Sequence, residues 1–164
     1  MRIARLVVMA ALLFAVGLIA PHTAAAQSAY VGSWDLVPDS LSGKIPGSYA
    51  SPTVEIGVYG SDLILTQHPI VMQPAEETKE IYRLDGSESN LSGYRKGRLT
   101  LADSTLNLTT IRIRPGNDTV TIISTAYQAS DNLLIVTRTL RVERPAGRVL
   151  DTPLNRWEAR YTRR

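Results

Sequence analysis

The sequence predicts an all-β fold: a single antiparallel up-and-down barrel of eight to nine strands. Three observations predict it. From residue 30 onward, Thr, Val, Ile, Leu and Tyr recur in short runs, the composition that suits a pleated, half-buried surface. Turn chemistry punctuates those runs at regular intervals. No segment of any length carries the 3.6-residue period of an amphipathic helix.

The elements follow in order. The first strand runs from Tyr30 to Val37 and is stopped by Pro38, which has no N–H for a ladder. The second is Thr53 to Tyr59, and Gly60-Ser61-Asp62 turns it tightly into a third, Leu63 to Gln67. A fourth, Thr78 to Leu84, ends at Asp85-Gly86, a strong turn pair. The fifth is Gly93 to Leu101, and Asp103-Ser104 leads into the sixth, Leu106 to Arg114. Pro115-Gly116-Asn117-Asp118 separates it from the seventh, Thr119 to Ala129. Ser130-Asp131-Asn132 then turns the chain into the eighth, Leu133 to Arg144, which ends before Pro145-Ala146-Gly147. Trp157, Ala159 and Tyr161 alternate in the tail, so 156–162 reads as a ninth strand in preference to a short helix. A meander of this many strands removes its exposed edges by closing into a barrel, with two stacked sheets as the competing arrangement.

The first 26 residues read as an address, with Arg2 and Arg5 ahead of an unbroken apolar run of 15 residues, Leu6 to Ala20. Pro21 and the small residues Ala24-Ala25-Ala26 follow, the plan of a secretory signal peptide cleaved after Ala26. A membrane-spanning helix wants about 20 apolar residues, more than this run offers. The expected mature chain is therefore one domain, residues 27–164, periplasmic or secreted and soluble. Losing Arg2 and Arg5 leaves 16 basic against 15 acidic residues, a balance without the basic excess that nucleic-acid binding calls for. There is no cysteine, hence no disulfide, no thiol nucleophile and no lipidated cysteine, so stability has to come from the core.

Gly32-Ser33-Trp34-Asp35-Leu36-Val37-Pro38-Asp39-Ser40, at the head of a nine-strand up-and-down pattern, resembles the opening of bacterial exported lipocalin-like domains. These belong to the wider calycin group of β-barrels. The resemblance in pattern covers nearly all of residues 27–164, and its specific motif is the Gly-x-Trp of the first strand. It implies that Trp34 plugs the closed base of the barrel, behind Gly32, with an arginine from a late strand across its ring. A guanidinium over an indole gains about 0.5–2 kcal/mol. Arg138 is the expected partner, with Arg144 second, because alternation places Arg138 on one face with Leu134, Val136, Leu140 and Val142. A charge on that face is costly unless paired.

If the first strand starts at the closed base, the connections 39–52, 68–77, 102–105 and 130–132 share the opposite end. The two longest early loops therefore meet at a mouth. Candidate mouth residues are Tyr49, His68, Ile70 and Met72, the last two in an apolar loop between Pro69 and Pro74. Candidate pocket residues are Ile122, Ser124 and Ala126, placed on the inner face of the seventh strand, small residues toward the mouth. An eight-strand barrel has interior enough for one small ligand or for side chains alone.

No enzyme is expected. His68 is the sole histidine after residue 26, there is no Gly-x-Ser-x-Gly elbow, and a zinc site normally needs three ligands rich in His or Cys. No metal or cofactor is expected either, since nothing beside His68 marks a haem pocket and Asp85-Gly86-Ser87-Glu88 lacks the spaced acids of a calcium loop. The resulting expectation is an exported monomer that sequesters a small apolar or amphipathic molecule. The alternative is an envelope interaction module with a filled core.

Overall fold

The computed structural model describes residues 27–43, 51–68, 78–91, 94–114, 119–143 and 155–164. The leader expected at 1–26 lies outside them. Among the described residues, no helix is long and apolar enough to cross a membrane.

The strands are β1 (Gly32–Leu36), β2 (Ser42–Gly43), β3 (Thr53–Tyr59), β4 (Asp62–His68), β5 (Thr78–Arg83), β6 (Ser89–Leu91), β7 (Arg95–Ala102), β8 (Thr105–Arg114), β9 (Thr119–Ser130), β10 (Leu133–Glu143) and β11 (Asn155–Arg163). They form one antiparallel sheet in the order β5-β4-β3-β1-β11-β10-β9-β8-β7-β6, with β2 pairing off this path to β11. The fold is thus a nearly closed up-and-down barrel, as the sequence predicts, with a slightly higher strand count. The tail is a strand, β11, and it joins the last strand to the first through Trp34↔Arg163 and Leu36↔Tyr161.

Two-residue turns set the registers. Asp103 and Ser104 both have positive φ, 48° and 57°, as a type I′ hairpin requires. Alternation then separates the faces: on β11, Trp157, Ala159 and Tyr161 are buried while Arg156, Arg160 and Thr162 are exposed. The inward residues of the lower barrel form a packed core of Trp34, Val54, Ile56, Leu63, Leu65, Leu106, Leu134 and Tyr161 with their neighbours.

The sheet path begins at β5 and ends at β6, and side chains bridge the seam between them. Ser89 Oγ accepts the Arg83 N–H at 2.9 Å. Arg95 Nη1 reaches Glu80 Oε1 at 2.7 Å. Tyr82 packs over Gly97, where a Cβ would lie 2.6 Å from the ring.

The short strand β6 corrects one sequence expectation. The chain descends β5 to the base, climbs β6 and descends again in β7. That extra reversal inverts every later strand. The turns at 103–104 and 131–132 therefore lie at the base and not at the mouth: the Tyr30 hydroxyl donates to the Ser104 carbonyl, and the Arg163 N–H to Asn132 O at 3.1 Å. The far end instead gathers the ends of β4, β8 and β10 and the starts of β3, β5, β9 and β11.

Candidate ligand-binding site

Trp34 is fully buried at the base, and its Nε1–H donates to the Tyr30 carbonyl at 2.9 Å. The arginine over its ring is Arg163, 4.5 Å from the ring centroid, and not Arg138. Register explains the correction, because Trp34 faces Arg163 across the β1–β11 ladder. Arg163 also donates to the carbonyls of Ala29, Val31 and Asp131, at 2.9, 3.1 and 3.2 Å, tying three segments of the base together. Gly32 sits beside it at φ 147°, a left-handed conformation, and a Cβ there would meet Arg163 Nη1 at 3.4 Å.

Arg138 does point inward, as alternation with Leu134 and Val136 requires, but it sits higher in the barrel. The row Thr125↔Arg138↔Trp157 crosses β9, β10 and β11. Its Nε donates to Thr125 Oγ1 at 3.1 Å, and its guanidinium lies 5.2 Å from the Trp157 ring centroid. Among the described residues no carboxylate pairs with it.

One row below, Tyr127 reaches across the lumen, where Gln67 Nε2 donates to its hydroxyl at 3.4 Å. β4 and β9 stand on opposite sides of the strand order, so this contact spans the barrel and caps the packed lower half. On the seam side Glu80, its side chain only 13% exposed, accepts from Arg95 and, at 2.7 Å, from the Tyr82 hydroxyl. The Tyr82 hydroxyl also lies 3.1 Å from Thr110 Oγ1. Glu80 is thereby neutralised by Arg95, and Arg138 is left as a half-buried inner cation with no ion pair among the described residues, whereas Arg112, on the same inner face nearer the mouth, is exposed. Burial pushes the hydroxyls of Tyr82, Tyr127 and Tyr161 well above the ordinary phenol range; at Tyr127 the Arg138 guanidinium pulls the opposite way. These groups are neutral donors at physiological pH.

Above this floor, the inward residues Ile123, Leu140 and Val142 are half-buried, whereas most inward residues below it, Leu101 and Ala129 excepted, are buried. The upper inner face thus combines the apolar Ile123, Leu140 and Val142 with Thr121 and the exposed Arg112, above a polar floor.

The other sequence candidates distribute as follows. Tyr49, Ile70 and Met72 lie outside the described residues. His68 ends β4 at the mouth, half-buried, on the opposite face from the inward Gln67. The β9 face is reversed from expectation: Ser124 is exposed and Ile122 and Ala126 share its outward face, while Thr125 and Tyr127 are buried inside. The physical reason is register, since the β9–β10 hairpin pairs Ala129 with Leu134 and Tyr127 with Val136, putting odd β9 residues inside.

Among solved structures, the chain is similar to a secretory abundant heat soluble protein from Ramazzottius varieornatus, with a TM-score of 0.54 and 13% identity over 83% of this chain and 96% of that one. It is also similar to a point mutant of the fluorescent protein UnaG, with a TM-score of 0.55 and 15% identity over 84% of this chain and 97% of the other. The fold is a calycin-type β-barrel. No protein-family model and no curated protein matches the sequence. At these identities the likeness carries the calycin architecture, and the residues lining this barrel have to carry the function.

Proposed function

We propose that this chain is exported and that its calycin barrel sequesters one amphipathic small molecule, anionic head down at Arg138 and apolar tail toward the mouth. The observation that carries the reading is Arg138 itself, an interior cation without a carboxylate partner among the described residues, beneath the half-buried Ile123, Leu140 and Val142. A buried charge held without a counter-ion is costly, and a ligand anion would repay that cost. Thr125 and the neutral Tyr127 hydroxyl add hydrogen-bonding capacity beside it. Affinity for the tail comes from apolar burial, at about 25 cal/mol per Å². The mechanism is sequestration, and it needs no chemical step.

The test compares long-chain fatty acids with their methyl esters, on the wild type and on Arg138→Met. Losing one partner of a buried, hydrogen-bonded charge pair costs about 2–5 kcal/mol, or roughly 30-fold to more than 10³-fold in Kd. The acid is expected to lose that affinity in Arg138→Met and the ester to change little. Equal binding of acid and ester by the wild type would refute the anion site. A protein that binds neither, and carries no small molecule in native mass spectra after purification from its own host, would favour the filled interaction module.

A further inference from the structure

We infer that the outer wall at the mouth end of β7, β8 and β9 docks on an anionic lipid bilayer. Two adjacent rows of outward side chains make this surface. Lys96, Ile111, Ile122 and Arg141 stand in register across β7 to β10, an apolar pair flanked on both sides by cations. The next row toward the mouth holds Ile113 and Val120, and the Ile113 N–H donates to the Tyr94 carbonyl at 3.2 Å, which places Tyr94 beside it. Tyr94 is 72% exposed, Ile113 51% and Ile111 36%, while the comparable outward positions lower on the same strands are Arg98, Thr109 and Ser124. The apolar residues are therefore confined to one end of the wall.

Charge complementarity selects the occupant. Arg98 borders the patch, is exposed and has no ion pair among the described residues. The two acids nearby, Glu88 and Glu143, are each spent on a cation, Lys96 at 2.6 Å and Arg141 at 3.0 Å. The neighbourhood is thus apolar at its centre and net positive at its border. A groove of about 460 Å³ runs between Leu91, Tyr94, Ile111 and Ile113 with Lys96 at its edge, so a phosphate head at the cation and an acyl segment on the isoleucines would match its chemistry. Exposed tyrosine, aliphatic side chains and arginines together form the composition that sits at a membrane interface. The patch adjoins the mouth end of the barrel, so docking would bring that end to the leaflet. The inference stands whether or not the lumen carries a ligand.

The experiment is vesicle flotation with the exported protein, using phosphatidylglycerol-containing vesicles against pure phosphatidylcholine ones. Binding to the anionic vesicles is expected to exceed binding to the neutral ones at least tenfold and to weaken with salt. Tyr94→Ser with Ile113→Ser should lose at least tenfold, and Arg98→Glu several-fold. Tyr59→Ser, an exposed tyrosine at the base end, should change nothing. All four positions are exposed, so unchanged circular dichroism spectra are expected. The inference is overturned if the wild type ignores anionic vesicles, or if Tyr94→Ser with Ile113→Ser floats like wild type. A dimer in native mass spectra that the double variant abolishes would overturn it too, by assigning the patch to a second copy.

Discussion

Trp34→Ala should cost this protein most of its stability, because the ring is the keystone of the barrel base. Trp34 is fully buried, and deleting a buried tryptophan side chain costs about 3–5 kcal/mol. The variant also strands the Tyr30 carbonyl that accepts from Nε1 at 2.9 Å, a bond worth about 1 kcal/mol net. It removes the face under Arg163, whose guanidinium is 4.5 Å from the centroid and partly solvated, worth about 0.5–1 kcal/mol. These contributions overlap, so about 4–5 kcal/mol is expected, comparable with the whole stability of a marginal domain. Trp34→Phe keeps most of the buried volume and should lose only about 1–2 kcal/mol. Arg163→Ala should lose about 1–2 kcal/mol through its exposed hydrogen bonds and the ring contact. The assay is urea unfolding followed by far-ultraviolet circular dichroism, since Trp157 remains as a fluorophore and would confuse an emission signal. A double-mutant cycle between Trp34→Ala and Arg163→Ala should return a coupling of at least about 0.5 kcal/mol. A loss below about 1 kcal/mol for Trp34→Ala, or additivity within about 0.3 kcal/mol, would refute the base as described.

Further predictions follow from the interior. Gly97→Ala would drive a methyl into Tyr82 and Leu91, at 2.6 and 2.9 Å, and should cost about 1–3 kcal/mol by thermal unfolding; a neutral result would mean that the seam relaxes freely. Arg138→Met removes an inner cation with no ion pair among the described residues, so ligand-free stability should hold within about 1 kcal/mol or rise even as carboxylate affinity falls, and a loss above about 3 kcal/mol would make Arg138 chiefly structural. Tyr82, Tyr127 and Tyr161 keep their protons in the fold at pH values where the unfolded chain gives them up. Stability should therefore be intact below about pH 10 and fall above it, by up to about 1.4 kcal/mol per pH unit for each suppressed ionisation. Tyrosinate absorbance should accordingly rise together with loss of the β-sheet signal, and a smooth titration of all seven tyrosines in the folded protein would contradict their burial.

The two arginine–tryptophan contacts show how far the sequence could be followed. Alternation put Arg138 inside, correctly, because a side chain's face depends only on its neighbours along the strand. Which indole it covers depends on the strand beside it: β11 lays Trp157 opposite Arg138 and Arg163 opposite Trp34. The reversed face of β9 was partly legible. A two-residue turn at Asp131-Asn132 pairs Ala129 with Leu134, and carrying that register along the hairpin would have put Tyr127 and Thr125 beside Arg138. Composition could not decide it, since both faces of β9 carry similar apolar residues. β6 was not legible at all, because three residues hold no measurable period.

The all-β class, the nine principal strands, the place of Trp34 at the start of a barrel and the inward turn of Arg138 were legible in the amino-acid order alone. These rest on local rules: two-residue alternation, turn chemistry and the cost of burying charge. Which end each loop occupies, which arginine covers which tryptophan, and that Glu80 pairs with Arg95 while Arg138 has no ion pair among the described residues emerge only in the folded barrel. Those are relations between strands distant in the chain. In a closing meander a single added reversal, the one β6 makes, inverts every strand after it.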